Sequence, residues 1–479
     1  MAPFGFLLVL AFATPAIAQA TFDLPGAVRY ALAHDSTLLA KTANVANLES
    51  QYAKAHATEF PSISGQLGNQ LSKSSNAQGQ FAQFGLSQQG NFSQNTAQIS
   101  SQWQLYNGSL NQVLAQEDAR DVESARADLR RARDQVAAAV AGAFFALAGK
   151  QETIAVSEGN RTYQRRLLDA ARANERVGRT AGVDTLRAQV AETRAQADLV
   201  SALADAANAR EALANEIGAP LDVAFALPHT VPQPPLPTTP VTTLVAVAEA
   251  SRADVSAARA NVAAAVLANG AIDADLRPQI ALNGAFGNQT SPTQFVAEQQ
   301  AIDAQNAAAQ AQYQLLRQIA PPSVVIPPPV VLPPVVRGTP GFWQIGATAT
   351  LTVPLLDYGS RHAAHRAARA QIEAQQAALA NARSAVELDV RHSLRDAQTN
   401  ATNLTLATAN VTLARESARI AQLQYANGLI SFTDANATEQ TALQAQSDLV
   451  SARVAYAVSV VRLRIALGTS DPVAAVEFR

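Results

Sequence analysis

Cysteine is absent from all 479 residues. That excludes disulfides, thiolate metal sites, thiol catalysis and an N-terminal lipid carried on cysteine. Charge is scarce: 15% of residues are Asp, Glu, Lys or Arg, against roughly 25% in an average soluble domain. The net charge of −2 gives no electrostatic basis for a nucleic-acid partner. Aromatics are few, at 5%. After residue 18 no window approaches the roughly 20 apolar residues of a membrane helix, so a bilayer would have to be crossed by strands. Phosphate-binding glycine loops, nucleophile elbows and HExxH segments are missing too. No acid–base pair or triad can be assembled, so neither an enzyme nor a cofactor is expected.

What fills the gap is Ala, Gln, Asn, Ser and Thr, a composition that suits closely packed helices and wet, uncharged walls. Residues 1–18 read as a secretory signal: Phe4 to Phe12 is an apolar core and Ala16-Ile17-Ala18 a small-x-small cleavage site. A buried N-terminal helix is the other reading, and Pro15 counts against it.

The mature chain is duplicated. Ala195-Gln196-Ala197-Asp198-Leu199-Val200-Ser201-Ala202 recurs as Ala445-Gln446-Ser447-Asp448-Leu449-Val450-Ser451-Ala452. Gly178, Asp184 and Gly218 return at the same offset as Gly428, Asp434 and Gly468, and the heptad Val122, Leu129, Val136 returns as Ile372, Leu379, Val386. Such self-similarity predicts two like structural units, 19–240 and 241–479. The spacing from Pro61 to Gly108 and from Pro278 to Gly359 differs by 34 residues, so the length variation falls in one loop.

Between those markers the apolar period is two. Ile99, Trp103 and Leu105 alternate with Gln98, Gln102 and Gln104; Trp343, Ile345, Ala347, Ala349 and Leu351 alternate with Gln344, Gly346, Thr348 and Thr350. Ile63, Leu67 and Leu71, and Ile280, Leu282 and Phe286, mark two weaker strands. The reading is two hairpins, about 61–106 and 278–356. Four strands apolar on one face and polar but uncharged on the other carry the signature of membrane-barrel strands; half-buried strands of a soluble sandwich are the alternative. The loop 290–340 begins Ala/Gln-rich and then holds eight prolines from Pro321 to Pro340, which favour extended polyproline II. It is read as a mobile low-complexity excursion, or as a lid or surface contact.

Elsewhere the chain is helical. No proline occurs from Ser109 to Asn174, and neither proline nor glycine from Ser360 to Tyr425. Each run would span about 100 Å at 1.5 Å per residue. Shorter helices, about 24–60 and 184–217, flank the first run, and heptad spacing favours a left-handed supercoil. Four strands cannot close a barrel, for which about eight is the practical minimum. Unpaired edges are forbidden in lipid, so the chain must oligomerise; the arithmetic allows two, three or four copies. His362 and His365, one turn apart between Arg361 and Arg366, are read as a solvated helix start, and no metal site is expected. Asp273 and Asp275 are read as facing water.

These features together resemble the TolC-type outer-membrane efflux proteins. The likeness is carried by the duplication, Pro61-Ser62-Ile63, the strand-to-helix returns Leu105-Tyr106-Asn107-Gly108 and Leu356-Asp357-Tyr358-Gly359, and Tyr425-Ala426-Asn427-Gly428 with Asp434 beyond. The resemblance implies a mixed fold: a homotrimer whose four strands per chain complete a transmembrane β-barrel in the outer membrane, continued by a long α-helical coiled-coil barrel in the periplasm. It implies an exit duct of a tripartite efflux or secretion system, with a periplasmic adaptor (a membrane fusion protein) and an inner-membrane pump as partners. A soluble periplasmic helical-hairpin scaffold or adaptor is the competing reading. By position, Asp184, Tyr425 and Asp434 would form the periplasmic gate, with a hydrogen bond from Tyr425 to Asp184. Asp184 and Asp434 also stand where they could cap the helices that follow. Gly178, Arg179, Gly428 and Leu429 mark the helix turns that would meet the adaptor, and Trp103 and Trp343 the aromatics at the lipid interface. A second Asp and an Arg found near the gate of the most charged relatives are Ala437 and Ile430 here.

Overall fold

The computed structural model describes residues 21–75, 89–178, 182–275, 277–290, 292–321, 324–334, 341–355, 358–468 and 471–476. The proposed signal and Arg179 lie outside them. The first repeat contains β1 (Thr21–Phe22), α1 (Leu24–His34), α2 (Ser36–Ala57), β2 (Ser62–Ser75), β3 (Gln89–Asn107), α3 (Leu110–Arg176), α4 (Gly182–Ile217) and β4 (Ala224–Phe225). The second contains α5 (Val241–Ser251), α6 (Ala253–Asp275), β5 (Gln279–Thr290), α7 (Pro292–Ile319), β6 (Gly341–Thr352), α8 (Ser360–Ala426), α9 (Phe432–Ala466) and α10 (Pro472–Val476). α3 and α8 are each 67 residues long, the length of uninterrupted helix that the missing prolines allow.

Two compact units emerge, one from 51–116 with 267–368, the other from the remaining described residues. In the first, the four long strands form an antiparallel sheet in the order β2-β3-β5-β6. Register decides what the alternation means. Gly65 lies opposite Ile99, Ile99 opposite Phe286, and Phe286 opposite Ile345. Trp103 is opposite Leu282, and Leu282 opposite Ala349. Every apolar set therefore falls on one face, with Ser101 and Asn288 among it, while Gln66, Gln98, Gln102, Thr348 and Thr350 share the other, where Ser64 and Ser100 hydroxyls lie 2.8 Å apart. A register shift between Gln104 and Tyr106 keeps Tyr106 on the apolar face. That face is bare: Leu67 is 89% and Ile345 87% exposed.

The stretch read as the Ala/Gln-rich part of a loop is a helix, α7, of 28 residues. Pro292 at its first position costs no hydrogen bond, the Ala and Gln that follow are good helix formers, and the chain leaves the helix just before Pro321. At the strand-to-helix returns Gly108 and Gly359 have φ of 70° and 87°, and Arg277 Nη1 donates to Gly108 O at 3.1 Å.

In the helical unit, α1, α3, α4 and α9 bury Val28, Val140, Phe144, Phe145, Leu213, Ile217 and Val461 in one cluster. β1 pairs in parallel with β4. α2 meets α3 at Leu38, Val45, Ala125 and Leu129, and Val122 and Leu129 of the heptad are buried. Small residues set the spacing: a Cβ on Gly149 of α3 would lie 2.6 Å from Val454 Cγ2 of α9. By length and composition α6, over Ala253–Ala274, could cross a membrane, contrary to the expectation that no such window follows residue 18. Its Val255 is instead buried with Leu244, Val386, Val390 and Leu463. The link between repeats is pinned by Glu152, which accepts from Val231 N at 2.9 Å and Arg453 Nη1 at 2.8 Å, and by the Tyr456 hydroxyl bonded to Pro234 O.

Candidate functional site at the paired helix turns

Both turns between long and short helices lie in the helical unit. α8 ends in a Schellman motif: Gly428 N donates to Tyr425 O and Leu429 N to Gln424 O, each at 2.9 Å. The motif needs φ > 0 at its penultimate residue, and Gly428 has φ 74°. Gly178 repeats this at the end of α3, with φ 71° and its N–H on Glu175 O at 3.0 Å. Val177 and Leu429 are exposed beside them, as are Val183 and Leu186 on the first turn of α4.

Asp184 and Asp434 do not cap the helices directly. The cap of α9 is Ser431, whose Oγ accepts from Asp434 N at 3.1 Å. The same hydroxyl donates to Asp434 Oδ2 at 2.8 Å, so Asp434, at the third helical position, steadies the cap through its side chain. Asp184 occupies the equivalent third position of α4 and accepts from Arg187 Nη1 at 3.3 Å. Asp434 is exposed.

Tyr425 lies behind these turns, 1% exposed. It packs edge-on to Phe432 at 5.9 Å in a cluster with Leu167, Leu168, Ala171, Ala188 and Ala435. Its carbonyl accepts from Asn174 Nδ2 at 3.3 Å, which ties the end of α8 to the end of α3. The hydrogen bond implied between Tyr425 and Asp184 is not made: the hydroxyl is buried with no hydrogen-bond partner among the described residues. Burial, and secondarily the charge of Asp184, pushes the phenol above its usual value.

Further along α3 and α9 lies a polar group the sequence reading missed. Gln164 Nε2 donates to Asn436 Oδ1 at 3.0 Å, and the Tyr163 hydroxyl to Ala435 O at 3.4 Å. Asn160, Gln164 and Glu439 are buried. Burial raises the Glu439 carboxyl to about 7, against the pull of Arg415, and pushes Tyr163 up with help from Glu439. A signal was present. Asn160, Gln164, Leu167, Ala171 and Asn174 follow the alternating 4-3 spacing of a helix seam, as do Phe432, Ala435, Glu439 and Ala442. Polar residues on such a stripe are rare and set register.

The two tryptophans belong to the other unit, on the apolar face of the sheet. Trp103, near the end of β3 that leads into α3, donates Nε1 to Glu59 O at 3.0 Å. Trp343, near the start of β6, stacks on Phe286 at 5.1 Å. His365 is not a solvated residue without a carboxylate: Asn269 Oδ1 is 2.9 Å from its Nδ1 and Asp273 Oδ1 is 3.1 Å from its Nε2. Asp273 also accepts from Arg361 at 2.8 Å. No cluster of metal-ligating residues occurs among the described residues.

A four-stranded sheet with one bare apolar face, in a duplicated chain of very long helices, is the architecture of an outer-membrane channel subunit. The sequence profile of the family "Outer membrane efflux protein" matches residues 27–219 and 338–469, one segment in each repeat. The fold is shared with VceC of Vibrio cholerae, at 18% identity and a TM-score of 0.68 over 93% of this chain and 96% of that one. CmeC of Campylobacter jejuni matches at 14% identity and 0.70 over 94% and 87%. The open state of MtrE of Neisseria gonorrhoeae matches at 19% and 0.65 over 93% and 88%. No curated protein sequence matches significantly. The chain belongs to the outer membrane efflux protein family. It is an efflux channel of the outer membrane with a helical periplasmic extension, and not an enzyme.

Proposed function

We propose that three copies of the chain assemble into one duct, each contributing four strands to a twelve-stranded barrel. The observation that carries this is the sheet itself. Its bare apolar face calls for lipid, and the outer edges of β2 and β6 are unpaired among the described residues. Lipid tolerates no open edge, and cyclic repetition closes it with identical contacts. Trp103 and Trp343, near opposite ends of the sheet, suit the two membrane–water interfaces. The uncharged polar face then lines a wet lumen through which solutes pass without chemistry, energy being supplied by an inner-membrane pump.

The helix turns are the entrance. Val177, Val183, Leu186 and Leu429 put apolar side chains in the open beside Gly178 and Gly428, a surface suited to a periplasmic adaptor. Asp184, Tyr425 and Asp434 form the gate. In a trimer the three Asp434 carboxylates make one acidic ring, which attracts cations. Reversal potentials across planar bilayers test this: Asp434→Asn channels lose cation preference or divalent block, and unchanged behaviour refutes the ring. Leu429→Asp tests the entrance, since it weakens adaptor capture while leaving the trimer intact.

A further inference from the structure

We propose that the tip of the second hairpin, the last turns of α7 with the proline-rich return 324–334, is a lipid-contacting collar that lies on the anionic headgroup layer of the outer leaflet. This rests on the reading that the sheet is inserted with its hairpin tips outward. Apolar exposure at the tip is concentrated. Leu315, Leu316 and Ile319 stand out on the last turns of α7, and Val324, Val325, Val330 and Val331 on the return, with Val325 94% and Val330 84% exposed. Patches of this kind on a folded protein mark an interaction surface.

The segment is held in place rather than trailing. Asn306 of α7 grips the backbone of Leu332 twice, accepting from its N–H at 2.8 Å and donating to its carbonyl at 3.0 Å. Prolines carry no N–H, so the return can lie against lipid headgroups with few donors to satisfy and cannot pair as a strand with another edge. Two observations commit the occupant to lipid. In sequence the return stands only a few residues before β6 and its Trp343, on the face read as meeting the membrane, so the patch adjoins that interface along the chain. Between Asp303 and Arg337 the only charged residue is Arg317, exposed on the same turns as Leu315 and Leu316 and 6.0 Å from the ring of Tyr313. An apolar strip with one cation matches an anionic interfacial layer.

The chain has two tryptophans and no cysteine, which makes the test direct. The full-length protein is reconstituted into phosphatidylcholine vesicles, with and without phosphatidylglycerol, carrying bromine on the acyl chains. In W103F the remaining Trp343 reports insertion of the sheet; in W103F/W343F/V330W the new indole reports the tip. Both are expected to lose most of their emission to bromolipid. The tip reporter should shift to the blue, more so with phosphatidylglycerol, and R317Q should remove that increment. If Trp343 is quenched while the V330W reporter keeps a water-like spectrum open to iodide, the collar is refuted and the inserted sheet survives. Disulfide cross-linking of V330C between subunits also refutes it, by placing a neighbouring copy there. If neither indole meets bromolipid, the inserted sheet fails as well.

Discussion

The Tyr425 hydroxyl is buried and has no hydrogen-bond partner among the described residues, and a buried unpaired polar atom costs stability. Tyr425→Phe should therefore leave the melting temperature unchanged or raise it slightly, whereas Tyr425→Ala should cost about 3–5 kcal/mol through the cavity. A large loss in the Phe variant would mean that the hydroxyl has a partner after all. Glu439 makes a different prediction. Packed between α3 and α9 its carboxyl holds a proton up to about pH 7, against 4.5 for an ordinary one; Tyr163 from α3 and Arg415 from α8 face it. Below pH 4.5 both the packed and the loosened states are protonated, so packing is firmest there. Between 4.5 and 7 it weakens as pH rises, by at most on the order of 3 kcal/mol, and above 7 it levels off. Hydrogen exchange at 435–442, corrected for its intrinsic pH dependence, should speed up across that window, and Glu439→Gln should abolish the change. None of this was read from composition. Glu439 is one acid among many until its place on the apolar stripe is noticed, and the missing Tyr425–Asp184 bond depends on a rotamer that no sequence specifies.

At the level of elements, the turns are held by backbone geometry more than by charge. Gly428→Ala should cost about 1 kcal/mol, because its φ of 74° is costly for any residue with a Cβ. Ser431→Ala should cost a similar amount, about 1 kcal/mol, through the lost cap. Thermal unfolding of the two single variants and the double measures both. The long helices were legible because proline is absent from Ser109 to Asn174 and from Ser360 to Tyr425, and a helix needs little else to continue. The strands were legible because Trp343 to Leu351 alternates without interruption. α7 was not, because the proline run that follows it dominates the composition of the whole loop and hides a good helix at its start. Asp273 beside His365 was missed for another reason: the two lie 92 residues apart, and only the fold brings α6 and α8 together.

For the whole molecule, the duplication was the most legible feature, and it carried the strand count per chain with it. What the chain could not specify was the number of copies. That number depends on barrel closure, a property of the edges of β2 and β6 when they meet another subunit. Register sharpens the argument beyond alternation alone, since a slip of one residue in any pairing would turn its apolar set to the other face. Instead all four sets coincide. Ile345→Arg, in the middle of β6 on that face, should impair insertion by about 2–4 kcal/mol, seen as less protein in the membrane fraction. The most direct measurement is the mass of the particle extracted from outer membranes in mild detergent. The account predicts a stable complex of three chains; a monodisperse single chain, soluble in water once the detergent is removed, would contradict it.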